Sequence, residues 1–224
     1  MENRELAFST FLKLLELAEH QKASTLRGFM RGGGFNYWRP LQNLAPDIVN
    51  GNLDLLGIQN KVGASAKGHQ RKYNEHALTN LLKWVGRRTI SPRTQPNKLV
   101  VKFGNSGLKV RLNPEVAFAM GGHSYLMHIW ATNNPTLTEE TLSMGLYFFR
   151  HYYRKVGGND VQFLIFDTVK DRIFAEFNVL DSANDMLIEQ RAILSSMWSE
   201  ISSGTGAPST PPTTSEYQED QPHV

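Results

Sequence analysis

Between Asn74 and Phe177 the apolar residues change period three times, and this order restricts the chain to a mixed helix–sheet architecture. Leu78, Leu81, Leu82 and Val85 recur at helical spacing, which predicts a helix over about 74–87. KLVVKF and LKVRL then flank GNSG, with the alternation and turn residues of a hairpin. After Pro114, EVAFAM, the pair Gly121-Gly122 and HSYLMHIWAT predict two more strands. Helical spacing returns at Leu142, Leu146, Phe149 and Tyr153. Thr136 and Glu139 have capping-box spacing at its start, and Gly157-Gly158 supply a stop. VQFLIF and RIFAEF form a last hairpin around DTVKD. The expected fold is α/β or α+β, with a mixed sheet of about five strands packed by helices 74–87 and 136–156.

The flanks complete this core. Phe8, Phe11, Leu12 and Leu15 predict a first helix over about Glu5–Lys22, followed by a Gly- and aromatic-rich connection through residue 60. Gly32-Gly33-Gly34 lacks the Gly-Lys-Ser/Thr of a phosphate-binding loop and reads as flexible connection, with Phe35, Tyr37, Trp38 and Leu41 docking the segment. Ser182 and Asp185 open a final helix with the stripe Leu187, Arg191, Leu194, Trp198 and Ile201, in which Arg191 is the discordant member. The two terminal helices are expected to cover the face of the sheet that remains apolar. Residues 61–201 form the expected core, and the Gly, Ser, Thr and Pro of 202–224 predict a disordered tail.

Charge is distributed unevenly along the chain. The net charge is only +3. Residues 61–111 nevertheless hold Lys61, Lys67, Arg71, Lys72, Lys83, Arg87, Arg88, Arg93, Lys98, Lys102, Lys109 and Arg111 against one acid, Glu75. Lysine and arginine at this density displace condensed counterions from a phosphate backbone, the main source of sequence-independent nucleic-acid affinity. The expected binding residues are Lys67, Arg71, Lys72, Lys83, Arg87, Arg88 and Arg93. An acidic protein partner, or a solvated basic face with no partner, are the alternatives. Tyr73 offers a ring for base stacking, whereas Trp84 lies on the apolar face of its helix and reads as core.

The α-β-β-β-α-β order over about residues 74–177 resembles the core of the PD-(D/E)XK nuclease superfamily, the restriction-endonuclease-like fold. That resemblance implies a nucleic-acid partner, DNA before RNA, and a Mg²⁺ site. The site would take an acid from the second strand, a Glu-x-Lys from the third and a helical Glu, because Mg²⁺ needs clustered hard oxygens. Pro114-Glu115 stands where the strand acid is expected, and Glu75 is the only helical candidate. On the third strand no same-face pair offers an acid with a lysine, and His128 is the nearest substitute. Two outcomes follow from the resemblance. Glu75, Glu115 and His128 form the catalytic centre of an active Mg²⁺ nuclease, with Glu75 and Glu115 holding the metal, or the scaffold binds nucleic acid with a degraded centre.

Other chemistries lack their residues. With no cysteine there is no disulfide, thiolate zinc site or cysteine nucleophile, and a reducing cytoplasm suits such a chain. His123 and His128 are five apart on one predicted strand, and no His-Glu-x-x-His occurs. Ser124 has no nucleophile elbow, the DTVKD turn has too few oxygens for calcium, and no dinucleotide fingerprint is present. No run of about 18 apolar residues predicts a membrane span.

Overall fold

The computed structural model describes residues 5–32, 36–94, 97–156 and 160–204. Its elements in chain order are β1 (Glu5–Ala7), α1 (Phe8–Glu16), α2 (Glu19–Arg31), α3 (Arg39–Val49), α4 (Leu55–Ser65) and α5 (Gly68–Gly86). Then come β2 (Ser91–Pro92), β3 (Leu99–Lys102), β4 (Lys109–Leu112), β5 (Val116–Met120), β6 (His123–Trp130) and α6 (Glu139–Lys155). β7 (Val161–Asp167), β8 (Arg172–Ala175) and α7 (Ala183–Ser203) complete the fold. The class is α+β, as expected. Among the described residues no helix is long and apolar enough to cross a membrane.

The main sheet has the order β2-β5-β6-β7-β8, with β6 and β7 parallel and the other pairs antiparallel. The parallel pair is joined through α6, the helical crossover such a connection needs. Strand alternation makes this sheet the middle layer of three. Ala117, Leu126, Trp130, Phe163, Ile165 and Phe174 point into a core shared with α1, α6 and α7. Val116, Phe118, Met127, Ile129, Leu164 and Phe166 point into a second core shared with α3, α4 and α5. Residues on both sides of position 60 build that second core. The expected stripe of α6 is correct: Leu142, Leu146, Phe149 and Tyr153 are all buried. Gly145 on the same helix lets α1 approach, because a β-carbon there would collide with Leu12.

Several expectations are corrected. The hairpin β3–β4 does not join the main sheet but forms a second one, in the order β1-β4-β3. Pro114 accounts for the separation: it cannot donate to a ladder, so β4 ends at Leu112 and the chain turns before β5 begins. The predicted first helix is a strand and two helices. Glu5–Ala7 pair in parallel with Lys109–Arg111, and the helix breaks at Leu17 and Ala18, whose backbones are extended. Glu16 fixes this break, because its carboxylate accepts from both N–H and Oγ1 of Thr138 at 2.9 and 3.0 Å.

The supposed connection contains α3 and α4. Leu41, Leu44, Ala45 and Ile48 are buried on α3 at helical spacing, and Pro40 sits in its first turn, where no intrahelical donor is required. Asp54 caps α4 by accepting from Gly57 N at 2.8 Å. Helix α5 starts six residues earlier than expected, at Gly68 rather than Asn74. The N-cap of α6 is Thr138, which accepts from Thr141 N, and not Thr136. Arg191 is exposed on α7 while Leu187, Leu194 and Trp198 of the same stripe are buried. The helix runs on through Ser203; the expected disordered tail beyond Gly204, the stop at Gly157-Gly158 and the docking of Phe35 lie outside the described residues.

Candidate nucleic-acid interface

Helix α5 lies across the sheet with Ala77, Leu78, Leu81 and Trp84 turned inward. At 100° per residue the opposite stripe is Lys72, His76, Thr79, Lys83 and Arg87. The lysines, the arginine and His76 are all exposed. From Lys72 to Arg87 the stripe runs about 22 Å at about 1.5 Å per residue. Among the described residues none of Lys72, Lys83 and Arg87 is in an ion pair. Lys67 is exposed at the N-cap of the same helix.

The other expected binding residues stand elsewhere. Arg71 is turned toward α4, beside Gly63, and its Nε lies 2.7 Å from Glu75 Oε1. Arg88 folds back over the Trp84 ring at 4.4 Å and donates to the Trp84 carbonyl, so its guanidinium is partly committed to the protein. Arg93 follows β2, where its N–H donates to the Ala117 carbonyl and its side chain borders a cleft. Tyr73 is 43 % exposed at the flank of the stripe, next to Tyr37 and His69. Trp84 is buried, as expected.

Glu115 and His128 come together, and Glu75 does not join them. The two-residue turn at Gly121-Gly122 sets Met120 opposite His123, and the register carries Glu115 to the position facing His128. Glu115 Oε2 lies 2.8 Å from His128 Nδ1 and accepts from Ile129 N at 2.9 Å. Both side chains are 4 % exposed. His128 Nε2 is enclosed with no hydrogen-bond partner among the described residues, and the Phe8 ring stands edge-on to the imidazole at 4.8 Å. The pair therefore faces the core of α1 and α6, whereas Glu75 rides on α5 across the sheet.

A Mg²⁺ centre does not fit this arrangement. Among the described residues no three His, Asp or Glu side chains gather as a metal would need. Glu115 spends one oxygen on a backbone amide and a histidine, and both side chains are almost wholly buried. The expected catalytic trio is thus corrected to a buried pair and a surface ion pair. Glu115 also acts on Tyr153: burial, and then the nearby carboxylate, push the phenol up to about 12. Its hydroxyl donates toward the carbonyls of Leu112 and Asn97 at 3.3 and 3.4 Å. A wild-type minus Tyr153→Phe ultraviolet titration is expected to show this phenolate only near pH 12. The stability the neutral phenol contributes should be complete below about pH 10, where a free tyrosine ionises, and fall away through 12. Ionisation near pH 10 would mean that the ring reaches water.

Sequence reasoning missed the cleft that Arg93 borders. It occupies about 750 Å³ where the two sheets meet the last turn of α6, and Lys98, Ser124, Tyr125 and Tyr153 are among its other walls. Its walls come from five separate stretches of chain, so no local pattern announces it. No protein-family model matches the chain, and no curated protein or solved structure matches it at significant similarity.

Proposed function

We propose that the protein binds nucleic acid through the outward stripe of α5, with no working metal centre in the scaffold beneath it. The observation that carries the reading is the alignment of Lys72, Lys83 and Arg87 on one exposed helical stripe, outside any ion pair among the described residues. A stripe of about 22 Å spans six to seven base pairs at about 3.4 Å per step, so a duplex lying along α5 meets phosphates at both ends. The side chains are long, solvated and matched to no base edge, which suits backbone contact rather than sequence readout. An acidic protein is the competing partner for the stripe, and the same measurement separates the two.

Titrating a labelled duplex at several salt concentrations tests the reading. Lys83→Ala with Arg87→Ala is expected to weaken binding to all sequences alike and to lower the salt slope by about 1–2, since each phosphate contact contributes roughly 0.9. Unchanged duplex affinity at low salt would leave the stripe a solvated face or a protein-docking surface.

A further inference from the structure

The cleft between the sheets has a composition of its own. Among the residues that line it are two cations, Arg93 and Lys98, and no carboxylate. Both cations are exposed at its rim, and neither is in an ion pair among the described residues. The volume is far more than an inorganic anion fills and lies within the range of sites for small organic ligands. Leu126 and Ala117 give the floor an apolar surface, and Leu99, packed against the same core, stands beside them. Ser124 and Asn97 add groups that both donate and accept. Tyr153 fastens the Asn97 carbonyl to the end of α6, which holds the wall carrying Lys98 in place.

We infer that this cleft binds a phosphorylated nucleoside, with the phosphate on Arg93 and Lys98 and the base and sugar against Leu99, Leu126, Ser124 and Asn97. Two cations on one rim select the anionic end. The half-apolar, half-hydrogen-bonding interior suits a flat heteroaromatic body with polar edges. The choice of a nucleotide over other organic phosphates rests on the nucleic-acid reading of α5. The same chemistry comes from a free mononucleotide or from the phosphorylated end of a strand.

Calorimetric titration of the full chain with deoxyadenosine 5′-monophosphate, deoxyadenosine and inorganic phosphate tests the inference. The monophosphate is expected to bind saturably, and Arg93→Ala or Lys98→Ala to weaken it by about tenfold or more with the melting temperature unchanged, since both side chains are exposed. Deoxyadenosine and phosphate alone should each bind at least about tenfold more weakly. A 5′-phosphorylated single strand that outbinds its 5′-hydroxyl counterpart, and is displaced by the monophosphate, identifies a strand end as the source. Equal affinity of the two strands identifies the free nucleotide. Failure to saturate below about 5 mM, inorganic phosphate binding as tightly as the nucleotide, or insensitivity to both substitutions would overturn the site. The variant carrying Lys83→Ala and Arg87→Ala keeps the two readings apart. Unchanged duplex affinity in that variant removes the α5 reading and leaves mononucleotide binding standing, whereas absent mononucleotide binding removes the cleft alone.

Discussion

Phe149→Ala is expected to cost about 3–5 kcal/mol of unfolding free energy, measured by urea denaturation. Phe149 has no exposed surface. Its ring stacks on Phe8 at 5.1 Å and meets Phe163 and Tyr153 edge-on, each at 5.1 Å. It is therefore the point at which α1, α6 and β7 pack together, and none of the three can close the gap without losing other contacts. The neighbours stay spaced by their backbones, so truncation leaves a cavity in addition to the lost transfer energy. At roughly 2–4 °C per kcal/mol for a chain of this size, the melting temperature should fall by about 6–20 °C. Phe149→Leu keeps most of the volume and should cost less than half as much. Arg154→Ala on the same helix breaks an exposed ion pair with Glu176 and should cost less than about 1 kcal/mol. A loss below about 1 kcal/mol for Phe149→Ala would place the α6 stripe outside the core.

That stripe was legible because period and burial coincide in it. The same holds for β5 to β8, whose alternating residues divide between two cores as a pleated sheet requires. Where a second influence entered, local pattern gave the wrong answer. In the segment from Arg39 to Ser65, glycine, asparagine and proline outweighed a helical spacing that was present at Leu41, Leu44, Ala45 and Ile48. Composition suggested a loop; apolar period decided the outcome. β1 has no local signature at all, because its three residues become a strand only by pairing with Lys109–Arg111, a hundred residues further along. The division into two sheets is likewise tertiary, and only Pro114 hinted at it. Arg191, anomalous on a buried stripe, proves exposed, so the rule for charged residues holds.

The candidate site shows the same limit in sharper form. Charge counting located the basic block but could not say which side chains are spent inside the protein. Arg71 on Glu75 and Arg88 on Trp84 are settled by neighbours, while Lys72, Lys83 and Arg87 follow from helical spacing alone once α5 is known. Glu115 and His128 were each visible as chemically capable residues. Their pairing was also available, since the Gly121-Gly122 turn fixes the register that sets them opposite. Their burial was not, because it depends on Phe8 of α1 covering the face they share.

Glu115→Ala should therefore destabilise the protein by about 3–5 kcal/mol rather than remove a catalytic group. The substitution leaves two enclosed donors without their acceptor, the Ile129 amide and the His128 imidazole, and opens a cavity between β5, β6 and α1. Glu115→Gln retains one carbonyl oxygen for those donors and should lose only about 1–2 kcal/mol. His128→Ala removes the other half of the pair. If the two residues act as one unit, Glu115→Ala and His128→Ala will be non-additive by about 0.5–3 kcal/mol in a double-mutant cycle. The readout that a metal centre would not share is nucleic-acid affinity. At a temperature where the Glu115→Ala variant remains folded, duplex binding should equal that of the wild type with or without magnesium, because the pair lies beneath the sheet and α5 lies above it. Loss of magnesium-dependent cleavage with unchanged urea stability would instead assign Glu115 to chemistry, and would mean that α1 moves off the sheet to expose it.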